Sequence, residues 1–304
     1  MRSDRPSMTS MAVAAMRAIY AELPPPLGAG PDPLAKAILP KPFLIPARMT
    51  ALAKGSPRGA SIAHRAFGAV SFGITYNVAL RTRALDEALR ESVKAGTKQI
   101  VVLGAGLDGR AFRMSELERV KVYEVDHPST QRDKKARLAK ANIEPIADIE
   151  FVPVDFERDE LDASLIDAGF SASKPSFWIW EGVTMYLSLD AVSSTLRAIA
   201  RVSAPGSRVA MTYARPVPDN IDPSRKAVAA LARAIAVAGG TVIGAMGETI
   251  RGFIDLPTLM KLAEDAGFVI RSDEDASDWA KRYWLGKSPG PFRWERIAIL
   301  ERLS

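Results

Sequence analysis

Gln99-Ile100-Val101-Val102-Leu103-Gly104-Ala105-Gly106-Leu107-Asp108-Gly109 is the stretch on which the fold turns. Five residues dominated by apolar side chains, preceded by Gly96-Thr97, read as a short strand of a parallel sheet. Three glycines at G-x-G-x-x-G spacing follow at once, ahead of an expected helix. Glycines there let backbone amides come close to a ligand, and an acidic residue after the next strand can accept from both hydroxyls of a ribose. Asp126 stands at that place, after the second strand, read at 120–125. The pattern suits any cofactor built on adenosine, so a nicotinamide dinucleotide and S-adenosylmethionine answer to it equally. A tight turn with no ligand answers to the glycines alone.

Outward from this turn, strand and helix signals alternate. Runs at 149–154, 177–180 and 208–213 read as the third, fourth and fifth strands with helices between them, which predicts a parallel sheet covered on both faces. A long helix is expected over 74–95, stopped by Gly96. After 213 the rhythm breaks: residues 214–254 hold Pro216, Pro218, an alanine-rich segment, Gly239-Gly240 and Gly244, and read as a lid or substrate-binding insertion. Asp255 is placed to cap a helix over 256–266 that closes at Gly267, and runs at 268–271 and 296–300 bring the count to seven strands. The expected fold is a doubly wound α/β sheet. Upstream, Met8, Met11, Ala12, Ala15, Met16, Ile19 and Leu23 recur at helical spacing until Pro24-Pro25-Pro26 ends the helix. With short helical candidates at 33–39 and 47–54, residues 1–73 read as a helical cap, dependent on a core of 74–304.

Composition narrows the chemistry. A chain of 304 residues with 47% hydrophobic and 25% charged residues can bury a sizeable core. No apolar run reaches the roughly 18–20 residues that cross a bilayer, and residues 8–23 are amphipathic, so a cytoplasmic address is expected and a membrane is not. The absence of cysteine removes disulfide and thiolate chemistry, and His64 and His127 alone are too few for an all-protein zinc site, so no metal is expected. The formal charge of +6 is spread along the chain. Its densest cluster, Lys134-Lys135-Ala136-Arg137, reads as a solvated helix face, and aromatic residues are not interleaved with basic ones as in single-strand binders. Nucleic acid is not an expected partner, whereas a small-molecule acceptor, drawn in by positive charge if it is anionic, is.

Other stretches carry a more specific signal. Arg81-Thr82-Arg83-Ala84-Leu85-Asp86, Val102-Leu103-Gly104-Ala105-Gly106-Leu107-Asp108-Gly109-Arg110-Ala111-Phe112-Arg113 and Tyr123-Glu124-Val125-Asp126-His127-Pro128 resemble successive motifs of the leucine carboxyl methyltransferase family. So do Val154-Asp155-Phe156 and Trp180-Glu181-Gly182-Val183-Thr184-Met185-Tyr186-Leu187, in the same order and spacing. Asp32-Pro33-Leu34-Ala35, Gly247-Glu248 and Ala266-Gly267-Phe268 resemble its bacterial branch, which includes methyltransferases acting on polyketide-type molecules. The resemblance implies a class I, Rossmann-like methyltransferase that binds S-adenosylmethionine and methylates a carboxylate or hydroxyl oxygen of a small molecule. It implies that Arg81 pairs with the carboxylate of the cofactor's methionine part, as a planar bidentate donor suits that group. Gly104, Ala105 and Gly106 would line the cofactor with backbone, Asp126 would hold the ribose, and Asp155 and Phe156 would meet the adenine. Glu181 would lie near the methionine amine and the sulfonium, whose positive charge gives a buried carboxylate a partner. Eukaryotic phosphatase-directed members place a lysine in the first helix; residues 9–16 contain none, so a protein C-terminal leucine is not carried over as the acceptor.

Methyl transfer from a sulfonium is an in-line displacement, so the protein's tasks are to align the acceptor oxygen with the methyl carbon and to exclude water. A carboxylate acceptor needs no general base. A phenol or enol benefits from one, and Tyr186 and Tyr213 near strand ends are the catalytic candidates, ahead of His127, although an aromatic residue placed as Tyr213 more often serves packing than catalysis. Two rivals remain. A nicotinamide-dependent oxidoreductase shares the glycine turn and Asp126, although its Tyr-x-x-x-Lys pair finds only Tyr283 and Lys287, with Gly286 between them and after the sixth strand. A noncatalytic cofactor-binding protein shares all of the binding residues.

Overall fold

The computed structural model describes residues 8–30, 32–53, 55–71, 73–156, 158–216, 252–285 and 294–303. Its centre is a sheet of β1 (Gln99–Leu103), β2 (Lys121–Asp126), β3 (Asp148–Pro153), β4 (Ser176–Trp180), β5 (Arg208–Ala214), β6 (Phe268–Asp275) and β7 (Glu295–Arg302), in the order β3-β2-β1-β4-β5-β7-β6. The first five strands run parallel, and β7 lies antiparallel between β5 and β6. Every residue of β1 and β4 is buried, as central strands covered on both faces require. The chain reverses its direction of winding between these two strands, so a crevice opens beyond their carboxyl ends, the position where open α/β sheets bind ligands.

The helices are α1 (Met8–Ala21), α2 (Pro33–Ile38), α3 (Ile45–Ala53), α4 (Pro57–Val70), α5 (Ile74–Lys94), α6 (Arg110–Arg113), α7 (Pro128–Ala141), α8 (Leu161–Asp167), α9 (Leu189–Arg201), α10 (Leu256–Asp265) and α11 (Ala276–Tyr283). Alternation along the strands feeds two cores. Ile100, Val102, Phe177 and Ile179 face α1, α5 and α11, whereas Val101, Leu103, Trp178 and Trp180 face α8, α9 and α10. Met11, Leu34, Ala47 and Ala60 belong to the first of these cores, so the N-terminal helices share their apolar interior with the sheet. Asp255 caps α10 by accepting from the Thr258 amide, as its place in the sequence predicts.

Two expectations are corrected, and one helix is added to those expected in the cap. Residues 57–70 form a full helix, because Ser56 caps it and Pro57 occupies its first turn, where a missing amide hydrogen costs nothing. The sixth strand continues four residues further, to Asp275, since its polar second half still pairs with β7 across a bulge at Ile270/Ser272. Lys134 is 1% exposed rather than solvated: its ammonium meets the Glu124 carboxylate and donates to the Asp108 carbonyl at 2.8 Å. The proposed lid at 214–254 lies largely outside the described residues. Its two ends are described and meet where Ile254 N donates to Ala214 O at 2.8 Å, while Gly252 N donates to Met185 O, in the turn after β4, at 3.2 Å. Among the described residues no helix is long and apolar enough to cross a membrane, and no group of side chains could hold a metal.

Candidate functional site

One half of the crevice is built from the turn after β1 and the ends of β2 and β3. Gly104 and Gly106 have φ of 63° and 48°, the left-handed region that side chains disfavour, and a Cβ on Gly104 would lie 2.5 Å from Val183 Cγ2. The turn is pinned by Asp126: its Oδ2 accepts from Gly106 N at 2.5 Å and its Oδ1 from His127 N at 2.6 Å. Each oxygen keeps a lone pair for a further donor, which is what a ribose would need. Burial pushes the Asp126 carboxyl above its ordinary range, against the pull of these two amides. Val154 N donates to Asp126 O at 2.9 Å, so the chain after β3 brings Asp155 alongside. Phe156 is 46% exposed and belongs to neither core, which sets aside plain packing. His127 is the cap of α7, its Nδ1 accepting from Ser129 N at 3.2 Å, a structural task.

The other half is built from side-chain charge. Arg81 of α5 donates through Nε to Glu181 Oε1 at 2.8 Å and through Nη1 to Glu295 Oε1 at 2.6 Å. Arg110, opening α6, donates to Asp86 at 2.9 Å, to Glu181 Oε2 at 2.9 Å and to Asp108. Arg113 completes the group on both oxygens of Asp86, at 2.8 and 2.7 Å. Two readings from the sequence need correction here. Glu181 does not depend on a cofactor for a cationic partner, because two guanidinium groups already bind it. Arg81 spends two arms of its fork on protein carboxylates, with the Nη2 arm turned toward Gly182.

Around this network three arginines, Arg81, Arg110 and Arg113, stand against four carboxylates, Asp86, Asp108, Glu181 and Glu295, which leaves one negative charge in excess. Burial pushes Glu181 up, but Arg110 and Arg81 outweigh it and hold the carboxyl below its ordinary value. Asp108 is likewise driven down to about 2, chiefly by Arg110 against the opposing effect of burial. At Glu295 burial wins over Arg81, and its carboxyl is raised.

The N-terminal helices clasp the glycine turn from above. Arg17 donates to Leu107 O at 2.5 Å and to Asp32 at 2.9 Å, and a Cβ on Gly106 would lie 3.0 Å from Ser10 of α1. Tyr186 lies half-buried in the short turn of helix after β4. Tyr213 does not reach the crevice as a base: it is fully buried in the second core and donates to Asp273 at 2.9 Å. Burial and the adjacent Asp273 carboxylate drive its hydroxyl well above the ordinary tyrosine value, which opposes proton abstraction at neutral pH. Tyr283, offered to the oxidoreductase reading, is occupied by Glu87, and Lys287 lies outside the described residues.

Reading the sequence assigned no role to Asp86, Asp108, Arg110, Arg113 or Glu295. A signal was present in the density of opposite charges within Arg81-Thr82-Arg83-Ala84-Leu85-Asp86 and Asp108-Gly109-Arg110, since charges so close to buried apolar runs require partners.

The sheet order, the reversed β7 and the crevice define the fold of the class I methyltransferases. A solved duf574 family protein from Streptomyces avermitilis shares it with a TM-score of 0.57 at 15% identity, over 80% of this chain and 90% of that one. The chain belongs to the leucine carboxyl methyltransferase family, whose model matches residues 10–200. Among curated relatives it is 40% identical over 149 residues to a protein of Mycolicibacterium smegmatis named "Putative S-adenosyl-L-methionine-dependent methyltransferase", covering 49% of this chain and 50% of the relative. A protein of the same name from Parafrankia is 35% identical over 173 residues, covering 57% and 56%. The chain thus spans about half the length of the curated relatives it matches.

Proposed function

We propose that this protein is an S-adenosylmethionine-dependent O-methyltransferase acting on a carboxylate or hydroxyl oxygen of a small molecule. The observation that carries the cofactor choice is Asp108. In a dinucleotide-binding turn the helix after β1 points its free amides at a pyrophosphate. Here that helix has four residues, and its Arg110 amide is already given to Asp108 Oδ1 at 2.7 Å. A pyrophosphate would meet a buried carboxylate, whereas a sulfonium cofactor meets the negative excess that its charge complements. Family membership and the names of the two relatives support the same reading.

When bound, the cofactor supplies an electrophilic methyl group. The chain's own residues do the rest: Asp126 accepts the ribose hydroxyls, the Gly104-Ala105-Gly106 backbone packs against the adenosine, and Asp155 and Phe156 border the adenine. Glu181 faces the cationic end, and the remaining Arg81 arm faces the carboxylate. Tyr186, in the turn after β4, is the residue assigned to orient or deprotonate a hydroxyl acceptor, and a carboxylate acceptor needs neither service. Binding of S-adenosylhomocysteine, NAD and NADP, each measured by calorimetry, tests the reading. S-adenosylhomocysteine is expected to bind and raise the melting temperature while the dinucleotides do neither; the reverse pattern moves the protein to the oxidoreductases.

A further inference from the structure

Asn77 is 1% exposed, and both its carboxamide nitrogen and its carboxamide oxygen are buried with no hydrogen-bond partner. A buried donor and acceptor left open together are costly, so such a pair calls for a partner that completes it. The side chain sits on α5 exactly four residues before Arg81, so the two share a helix face about 6 Å apart along the axis.

The direction of α5 places that face. Its last turn lies at the start of β1, where Thr97 N donates to Ser92 O at 3.1 Å, and Arg81 reaches Glu181, the first residue past the end of β4. One turn further out, Asn77 stands beyond the carboxyl ends of the strands, at the level of the crevice, and helical side chains lean toward the N-terminus, which carries the carboxamide further that way. The group that satisfies it must offer a donor and an acceptor close together. An α-ammonium beside an α-carboxylate does so, and it is the end of the cofactor that Arg81 and Glu181 already bracket.

We infer that Asn77 is a recognition residue for the amino-acid end of the bound cofactor, its nitrogen donating to the α-carboxylate and its oxygen accepting from the α-ammonium. The inference rests on the methyltransferase reading above. Two probes separate them: S-adenosylhomocysteine, which carries the amino-acid end, and 5′-methylthioadenosine, which keeps the adenosine and the thioether but lacks it. In Asn77→Leu, S-adenosylhomocysteine should bind at least tenfold more weakly while 5′-methylthioadenosine changes less than twofold. The melting temperature of the unliganded variant should hold or rise, because an orphan amide gives way to an apolar group of similar size. Asn77→Ser, smaller and still polar, should show the same split between probes and covers the case in which leucine does not fit. Equal weakening of both probes makes Asn77 a structural residue and overturns the inference, as does unchanged S-adenosylhomocysteine binding. If the parent protein binds neither probe, the cofactor assignment itself falls, and the inference with it.

Discussion

The β1–β2 side of the crevice and the side formed by β4, α5 and β7 are made of different materials. On the first, a single carboxylate, Asp126, is satisfied by two backbone amides and positions a turn through glycines. On the second, seven charged side chains from α5, the β1–α6 turn, α6, the end of β4 and the start of β7 neutralise one another almost completely. A backbone-built site is local, so removing its side chain leaves the surrounding hydrogen bonds of the sheet in place. A charge-built site is shared, and removing one arginine takes a cation from several buried carboxylates at once. Stability should therefore reside on the charged side and adenosine affinity on the backbone side.

The strongest break in that comparison is Arg110→Ala. It leaves Asp86, Asp108 and Glu181 each short of a cation, and breaking buried pairs of this kind costs roughly 3–5 kcal/mol. Urea unfolding followed by circular dichroism should show a loss of that size. A loss under about 1 kcal/mol, the worth of a solvated pair, means that water reaches the network and that the charged side is not a structural element.

Asp126→Ala is the matched test on the other side. Two ribose hydroxyls lose their acceptor, which weakens S-adenosylhomocysteine by roughly 1–3 kcal/mol in calorimetry, while unfolding stability moves less than it does in Arg110→Ala. If Asp126→Ala unfolds the protein as readily as Arg110→Ala does, the two sides are one structural unit and the contrast disappears.

The same contrast explains what the sequence discloses. β1, its glycine turn and Asp126 are contiguous signals: an apolar run, a spacing and an acid after the next strand, each tied to backbone geometry and readable without a partner. Arg110, Asp86 and Glu295 are far apart along the chain, and their pairing depends on α5, α6 and β7 converging, which no local periodicity encodes. Asn77 lies beyond reach altogether, because a single asparagine in a helix carries no sign of whether its amide will find partners. Tyr213 misleads for the opposite reason. It does lie near the end of β5, but alternation turns it toward α9 and α10, into the core rather than the crevice.

That placement yields the smallest expected effect, in Tyr213→Phe. The change removes one hydroxyl, which donates to Asp273, and keeps the ring that fills the second core. Asp273 does not become an orphan, because Arg296 Nε contacts both of its carboxylate oxygens at 2.9 Å and Arg296 Nη2 donates to its carbonyl at 2.9 Å. The loss should be that of a single hydrogen bond with a charged acceptor still satisfied, about 1 kcal/mol in unfolding free energy. Turnover on any acceptor that the parent methylates should stay within about twofold, with an unaltered pH profile, because a hydroxyl held by a carboxylate and raised in pKa takes up no proton from substrate near neutrality. A fall in kcat of more than tenfold at unchanged stability, with the ascending limb of the pH profile lost, would return Tyr213 to the chemistry and require the chain near β5 to rearrange when substrate binds.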